Sequence, residues 1–402
     1  MISGNGFEGF RRRDGQVGIR NLALVLPVGQ CANELALRCA SGIDSAFPLL
    51  HTQPCAHLGD DNHAAMRCLI GLGRNPNAGA VLVVGIGCDA LDAEHIADRI
   101  AVTKKPVECL TVASCGGWDH VIAKGRRWLE HQSRELSQQP RTQVGIGHLT
   151  LAVKCGGSDA TSALAGNPAI GGAVDQLIDE GGTVIFSETT ELIGAEHLLM
   201  ARAATPAVRH AIDLAVKDTI QRINAIGVDP RGTQPTPGNI EGGLTTLEEK
   251  SLGGILKTGA RPIAGVFSWG EAPNGPGLHL MDCPANVPQL LLGWAAAGAQ
   301  LLIFSVGGGL PASIPSLIGT NTGNMQLLPI LKLLSNPRDS SARSYFDLYA
   351  GGVLEGNMPL EQVSEEIWNR ALETASGRPT YLERYPPPGV QIWELLVRGP
   401  TV

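Results

Sequence analysis

An α/β fold, with a smaller parallel-sheet N-terminal domain and a larger C-terminal domain, follows from three observations. Short apolar runs alternate with helix-length amphipathic stretches from end to end of the 402-residue chain. Several of those runs are continuous rather than alternating, as in strands buried on both faces. Glycine is abundant, at 51 residues, and much of it stands where a run ends and a turn must begin. The polar stretch Ser133–Arg141 reads as a linker, so the division falls at residues 1–140 and 141–402.

In the first part, Leu22–Val28 reads as a buried strand and Ala32–Ala40 as its helix. Phe47–His51 is a shorter strand, followed by a helix over His63–Gly71. Ala80–Gly85 (AVLVVG) is the clearest buried strand, with a helix over Ala90–Ile100. Val107–Ala113 and the helix Asp119–Gln132 complete the series. Strand and helix in strict alternation imply parallel pairing with right-handed crossovers.

The second part opens with a strand over Leu149–Val153, ending in Cys155-Gly-Gly-Ser-Asp159. A helix over Gly171–Asp179, a strand over Thr183–Ser187, a helix from Gly194 to about Ala203 and the helix Pro206–Ile226 follow. Asp229–Gly243 reads as an ordered loop and Thr246–Thr258 as a helix. Strands are expected at Ile263–Ser268, Leu278–Met281 and Gln300–Ser305, with a helix over Pro288–Ala297 between the last two. Gly307–Asn324 reads as a long loop, and the last ~75 residues as helical and peripheral.

Composition excludes some functions. A net charge of −7 with no long basic run argues against nucleic acid and against an anionic membrane surface. No apolar stretch reaches spanning length, and the N-terminus carries no secretory pattern, so a cytoplasmic protein is expected. Nine scattered cysteines then read as thiols or metal ligands rather than a disulfide frame.

Their placement adds to this. Cys31, Cys55, Cys88 and Cys115 each follow an expected strand of the first part, and Cys155 follows one in the second. Open α/β sheets bind ligands beyond the carboxyl ends of their strands. Thiolates gathered there suit iron, zinc or an iron–sulfur cluster, and Cys31, Cys55, Cys88 and Cys155 are the candidate ligands. Cys39, Cys68 and Cys109 fall inside apolar patterns and are assigned to the core. Single cysteines often pack as small hydrophobes, so the argument rests on position alone.

Other stretches carry chemistry. Glu188, Glu191, Glu196 and His197 stand at a strand-to-helix junction, where they suit a metal or an acid/base pair; helix N-terminal charge is the plainer alternative. His51 and His57 flank Cys55. Lys250 lies in a helix-like run, where most lysines are solvated. Gly307-Gly308-Gly309 lacks both the dinucleotide and the Walker spacing, so nucleotide binding is not supported.

Several long stretches, in one order, resemble the altronate/galactarate dehydratase family, which also includes the large subunit of (2R)-sulfolactate sulfo-lyase. They include FEGFRRRDGQVGIRN (Phe7–Asn21), LPVGQCAN (Leu26–Asn33), HTQPCAHLGDD (His51–Asp61) and GLGRNPNAGAVLVVGIGCD (Gly71–Asp89). CGGSDATSALAGNPAIG (Cys155–Gly171), SETTELIGAEHLLMARA (Ser187–Ala203) and PTPGNIEGGLTTLEEKSLG (Pro235–Gly253) match most strongly.

The resemblance implies a lyase that needs Fe(II) or a similar divalent metal. It implies a dimerising α/β domain, a Rossmann-like C-terminal domain and a small β-clip domain, here missing or supplied as a separate subunit. A small hydroxy acid is the expected substrate. Lys250 or His197 is the expected base, Glu188 or His51 the expected acid, and Gly156, Gly157, Ser158, Asp159, Asn239 and Thr245 are the expected substrate contacts. The chain departs from the family where relatives carry Gly-Arg-Gly and it carries Gly307-Gly308-Gly309. Pro54 stands for a family glycine, and Cys115 is unusual. A binding homologue without activity is the competing reading.

Overall fold

The computed structural model describes residues 6–55, 57–307, 322–323, 325–387 and 389–398. The strands run in chain order β1 (Gly6–Arg11), β2 (Val17–Gly18), β3 (Leu22–Pro27), β4 (Ala46–Pro48), β5 (Leu50–His51), β6 (Ala78–Gly85), β7 (Val107–Thr111) and β8 (Thr142–Gly145). They continue as β9 (Thr150–Gly156), β10 (Thr183–Phe186), β11 (Ile263–Ser268), β12 (Gly277–Asp282), β13 (Leu301–Val306), β14 (Ile330–Leu334), β15 (Leu348–Tyr349) and β16 (Ile392–Trp393).

The first domain is a parallel sheet in the order β4-β3-β6-β7. Every residue of β6 is buried, which explains its unbroken apolar run. Side chains alternate between its two faces. Ala23 and Val25 pack with Leu35, Val121 and Leu129 of the helices Asn33–Ala40 and Trp118–Ser137. Leu24 and Leu26 face Leu69 and Ile96 of the helices Gly59–Arg74 and Ala93–Ala101.

The second sheet has seven parallel strands in the order β11-β12-β10-β9-β13-β14-β15. One face buries Val153, Val184 and Ile303 with the helices Asn167–Asp179 and Leu360–Ala375. The other face, with Ala152, Ile185 and Leu302, packs into the same core as the first domain, through Leu290 and Trp294 of the helix Val287–Ala296.

Three features depart from expectation. The helix Trp118–Ser137 runs into the expected linker, so only a short segment joins the domains. The N-terminal strand β1 pairs antiparallel with β2 and with β8, which no local pattern announces because its partner lies more than a hundred residues away. The C-terminal region is not merely peripheral: β14 is fully buried inside the sheet, and β16 pairs with β5 of the first domain. Lys332 in mid-strand disguises β14 as amphipathic. The loop expected at 307–324 lies almost wholly outside the described residues, Gly308 and Gly309 included. Among the described residues no helix is long and apolar enough to cross a membrane.

Candidate active site

β9 ends at Gly156 and delivers the loop Cys155–Asp159 at the carboxyl edge of the sheet. Gly157 has φ +55, a conformation that suits glycine, and turns the chain away from the strand direction. Cys155 is buried, its Sγ 3.2 Å from Ser158 Oγ and 3.4 Å from Asn167 Nδ2. Asp159 is buried and accepts from Thr161 Oγ1 at 2.7 Å and Ser162 N at 2.8 Å, which fixes the start of the following helical turn. A Cβ on Gly307 would stand 2.4 Å from Gly157 O and 2.5 Å from Asp159 Oδ1, so the next strand closes tightly over this loop.

Lys250 faces the same region from the helix Leu247–Ile255, which Thr246 caps by accepting from Glu249 N. The side chain is almost fully buried. Its ammonium lies 3.0 Å from Glu191 Oε1 and donates to Gln234 Oε1 at 2.8 Å and Asn239 Oδ1 at 3.1 Å. Three acceptors meet three N–H donors, which is the ammonium's full capacity. Asn239 donates through Nδ2 to Ser158 O at 2.8 Å, so one side chain ties the lysine to the glycine-rich loop. The orientation of Asn239 follows from its partners, because Thr236 N donates to Oδ1. Thr245 is exposed and turned to Glu249 Oε2, away from Lys250.

Glu188 stands behind this cluster rather than in it. It is fully buried, with φ 73, and its carboxylate is paired with the ammonium groups of Lys154 and Lys257. Burial alone pushes the Glu188 carboxyl up and the Lys154 ammonium down. Their attraction outweighs it, with Lys257 adding to the effect on Glu188. Glu188 therefore stays below its ordinary value and Lys154 above.

In the first domain, His51 is buried in full. Gln53 N donates to Nδ1 at 3.2 Å, so the ring proton belongs on Nε2, which donates to Pro27 O at 2.6 Å. Both ring nitrogens hold backbone, and burial pushes the imidazole down to about 4. The unfolded chain takes up a proton near the ordinary imidazole value of 6.5 and the folded chain does not, so stability falls as the pH drops from about 6.5 to 4. The expected loss is about 3 kcal/mol. Urea titrations at pH 7 and pH 4.5 check it: His51→Phe should flatten that part of the stability profile. His197, on the short helix Glu196–Ala201, is exposed and outside the lysine cluster.

The cysteines divide into two places. Cys31, Cys55 and Cys88 are exposed on neighbouring loops; Gln30 N donates to Gln53 O at 2.7 Å, and a Cβ on Gly29 would stand 3.0 Å from Asp89 Oδ1. Cys155 is apart from them, its thiol committed to Ser158 and Asn167. Among the described residues no group of three Cys, His, Asp or Glu side chains is placed to hold a metal ion. Among the described residues the candidate ligands are therefore not gathered into a site that fits a resident metal.

The two regions nevertheless approach each other. Asp61, after the Cys55 loop, accepts from Arg398 N; Arg398 Nη2 reaches Asp282 Oδ2 at 3.0 Å; and Asp282 Oδ1 accepts from Thr189, beside Glu188. Sequence reasoning missed Gln234, Lys154, Lys257 and Asn167. Lys154 alone carried a signal, as a charged residue inside the apolar run LAVKCGG.

A family model described as D-galactarate/Altronate dehydratase, C-terminal, matches residues 146–398. A second, D-galactarate dehydratase/Altronate hydrolase, second domain, matches residues 9–137. The chain is 37% identical to the (2R)-sulfolactate sulfo-lyase subunit beta of Chromohalobacter salexigens, over 95% of each chain. It is 32% identical to altronate dehydratase of Escherichia coli, covering 93% of this chain and 75% of the relative. To the galactarate dehydratase (L-threo-forming) of the same organism it is 30% identical, with 94% and 74% covered. These matches run through both the glycine-rich loop and the lysine cluster, and the chain belongs to the D-galactarate/altronate dehydratase family of lyases.

Proposed function

We propose that this chain eliminates water, or sulfite, from a small 2-hydroxy carboxylate to give a 2-keto acid. The observation that supports this most directly is the Lys250 ammonium, held by Glu191, Gln234 and Asn239 next to the glycine-rich loop after β9. Lys154, Lys250 and Lys257 against Glu188 and Glu191 leave a formal excess of one positive charge, which an anionic substrate completes.

Glu191 takes the proton from C2 of the substrate. The electrons of the broken C–H bond form the C2–C3 double bond as the group on C3 departs. Lys250 stabilises the enediolate that develops and donates its proton to a departing hydroxide, which leaves as water. Sulfite needs no such proton. After loss of hydroxide, Glu191 returns its proton to Lys250 across their 3.0 Å contact. After loss of sulfite, Lys250 is still protonated and Glu191 releases its proton to water. In both cases the enol tautomerises to the keto acid. The N–H groups of Gly157 and Ser158, which meet no acceptor among the described residues, bind the substrate carboxylate. Asp159 shapes that loop. This reading moves the base from Lys250 or His197 to Glu191, and gives Glu188 and His51 supporting roles.

The sulfo-lyase relative is named as a subunit, and a separate partner chain is part of this proposal. Incubation with altronate, galactarate and (2R)-sulfolactate, with 2-keto acid and sulfite both measured, tests the reaction. Keto acid from at least one of them is expected. No product from any, with and without a partner chain and added Fe(II), would reject it in favour of a binding homologue.

A further inference from the structure

We infer that Lys154, Glu188 and Lys257 form a positioning clamp that sets the contact between Glu191 and Lys250. The inference rests on the reading above for its catalytic meaning, though its structural content stands alone. All three are buried: Glu188 fully, Lys257 at 1% exposed and Lys154 at 3% exposed.

What they join is specific. Lys154 precedes Cys155 on β9, and its ammonium also donates to Cys155 O at 2.9 Å, at the root of the glycine-rich loop. Glu188 begins the turn that carries Glu191, and Glu191 N donates to Glu188 O at 2.7 Å. Lys257 lies in the 3-10 turn that continues the helix bearing Lys250, and it donates to Gly254 O at 3.0 Å. The three chain segments that supply the pocket thus meet at one carboxylate.

The backbone at Glu188 supports the same conclusion. A φ of 73 is unfavourable for a residue with a Cβ, and it persists only where surroundings enforce it. Here the enforcement is visible on both sides. The two lysines hold the side chain. Thr189 N donates to Cys283 O at 2.9 Å and Thr189 Oγ1 to Asp282 Oδ1 at 2.8 Å, which holds the following residue. That bend directs the short turn toward Lys250, and a relaxed bend would withdraw Glu191 from the ammonium.

The test is acylation of Lys250 in the full-length protein by limiting acetic anhydride, followed by peptide mass spectrometry and run beside the lyase assay. Acylation needs access to the amine, so Lys250 is protected while its contacts with Glu191, Gln234 and Asn239 hold it. Lys257→Met leaves Lys154 and Glu188 as a balanced pair and should keep the fold by circular dichroism. Labelling of Lys250 should rise about fivefold or more, the effect of losing one charged partner. Exposed Lys217 should label as before, and Lys257→Arg should restore protection. A folded Lys257→Met protein with unchanged Lys250 labelling would overturn the clamp. Should that variant not fold, Lys257→Gln, which removes the charge but keeps a polar group beside Glu188, carries the same expectation. A changed labelling pattern in a protein that yields no keto acid would reject the lyase reading and leave the clamp standing.

Discussion

Lys250→Met should lower kcat by about a thousandfold while the protein stays folded. The lysine is asked to do two things, to stabilise the enediolate and to protonate a departing hydroxide. Loss of a single oxyanion-stabilising donor costs roughly 10²–10³ in rate, and loss of a proton donor a similar factor. Methionine keeps most of the buried stem volume, so the packing around Leu247 and Ile255 survives. The variant frees Glu191, Gln234 and Asn239; Glu191 and Gln234 are partly exposed, where water can reach them, and Asn239 Oδ1 keeps its hydrogen bond from Thr236 N. Steady-state kinetics beside a thermal melt check this: a melt within a few degrees of the unaltered protein with kcat collapsed is the expected pair of results. The loss should be smaller for a substrate that releases sulfite, because that leaving group needs no proton.

Glu188→Ala should instead act on stability, costing about 3–5 kcal/mol, because it leaves two buried lysines without a counter-charge. Denaturant unfolding measures it. The pH dependence follows from the direction of the shift. Glu188 is held below the ordinary carboxyl value of 4.5 in the folded protein, so its contribution is present above pH 4.5 and is lost as the pH falls through the lower folded value. Lys154 is held above 10.5, so its share is present below pH 10.5 and is lost as the pH rises through the higher folded value. Below pH 4.5 the alanine variant and the unaltered protein should therefore converge in stability, and a constant gap across that range would contradict the ion cluster as its origin.

The parts of this protein legible in its sequence are those where local pattern and tertiary need coincide. β3, β6, β9 and β13 are buried on both sides, so each shows as an unbroken apolar run. The Cys155-Gly-Gly turn was legible because a glycine-rich break after such a run marks the carboxyl edge of a parallel sheet. Lys250 and Asn239 emerged only through the family motifs, since a lysine on a helix looks the same whether solvated or buried. Glu188 reads as a metal ligand or acid/base group at a strand-to-helix junction because nothing local reveals that Lys154 and Lys257, 34 and 69 residues away, close over it. His51 beside Cys55 suggested a ligand, but both its ring nitrogens are spent on backbone. β1 with β8, and β16 with β5, are pairings between distant segments, and no periodicity encodes them.

The reassigned roles share a physical cause. A charged side chain in an α/β core must be paired or hydrogen-bonded, and here the partners rather than the burial separate Lys250, which meets Glu191, from Lys154 and Lys257, which meet Glu188. On the proposed reading Glu191 and Lys250 handle protons, while Glu188, Lys154 and Lys257 hold them in place. The exposed thiols of Cys31, Cys55 and Cys88 lie across the contact path from Asp61 through Arg398 to Asp282, on the first-domain side.

A crystal structure of the Lys250→Met protein soaked with the substrate it binds tests the central claim most directly. The account predicts the acid seated between the Gly156–Ser158 turn and Asn239, its carboxylate on the N–H groups of Gly157 and Ser158 and its C2 hydrogen toward Glu191. Substrate bound instead among the loops of Cys31, Cys55 and Cys88, with the Lys250 pocket empty, would contradict it.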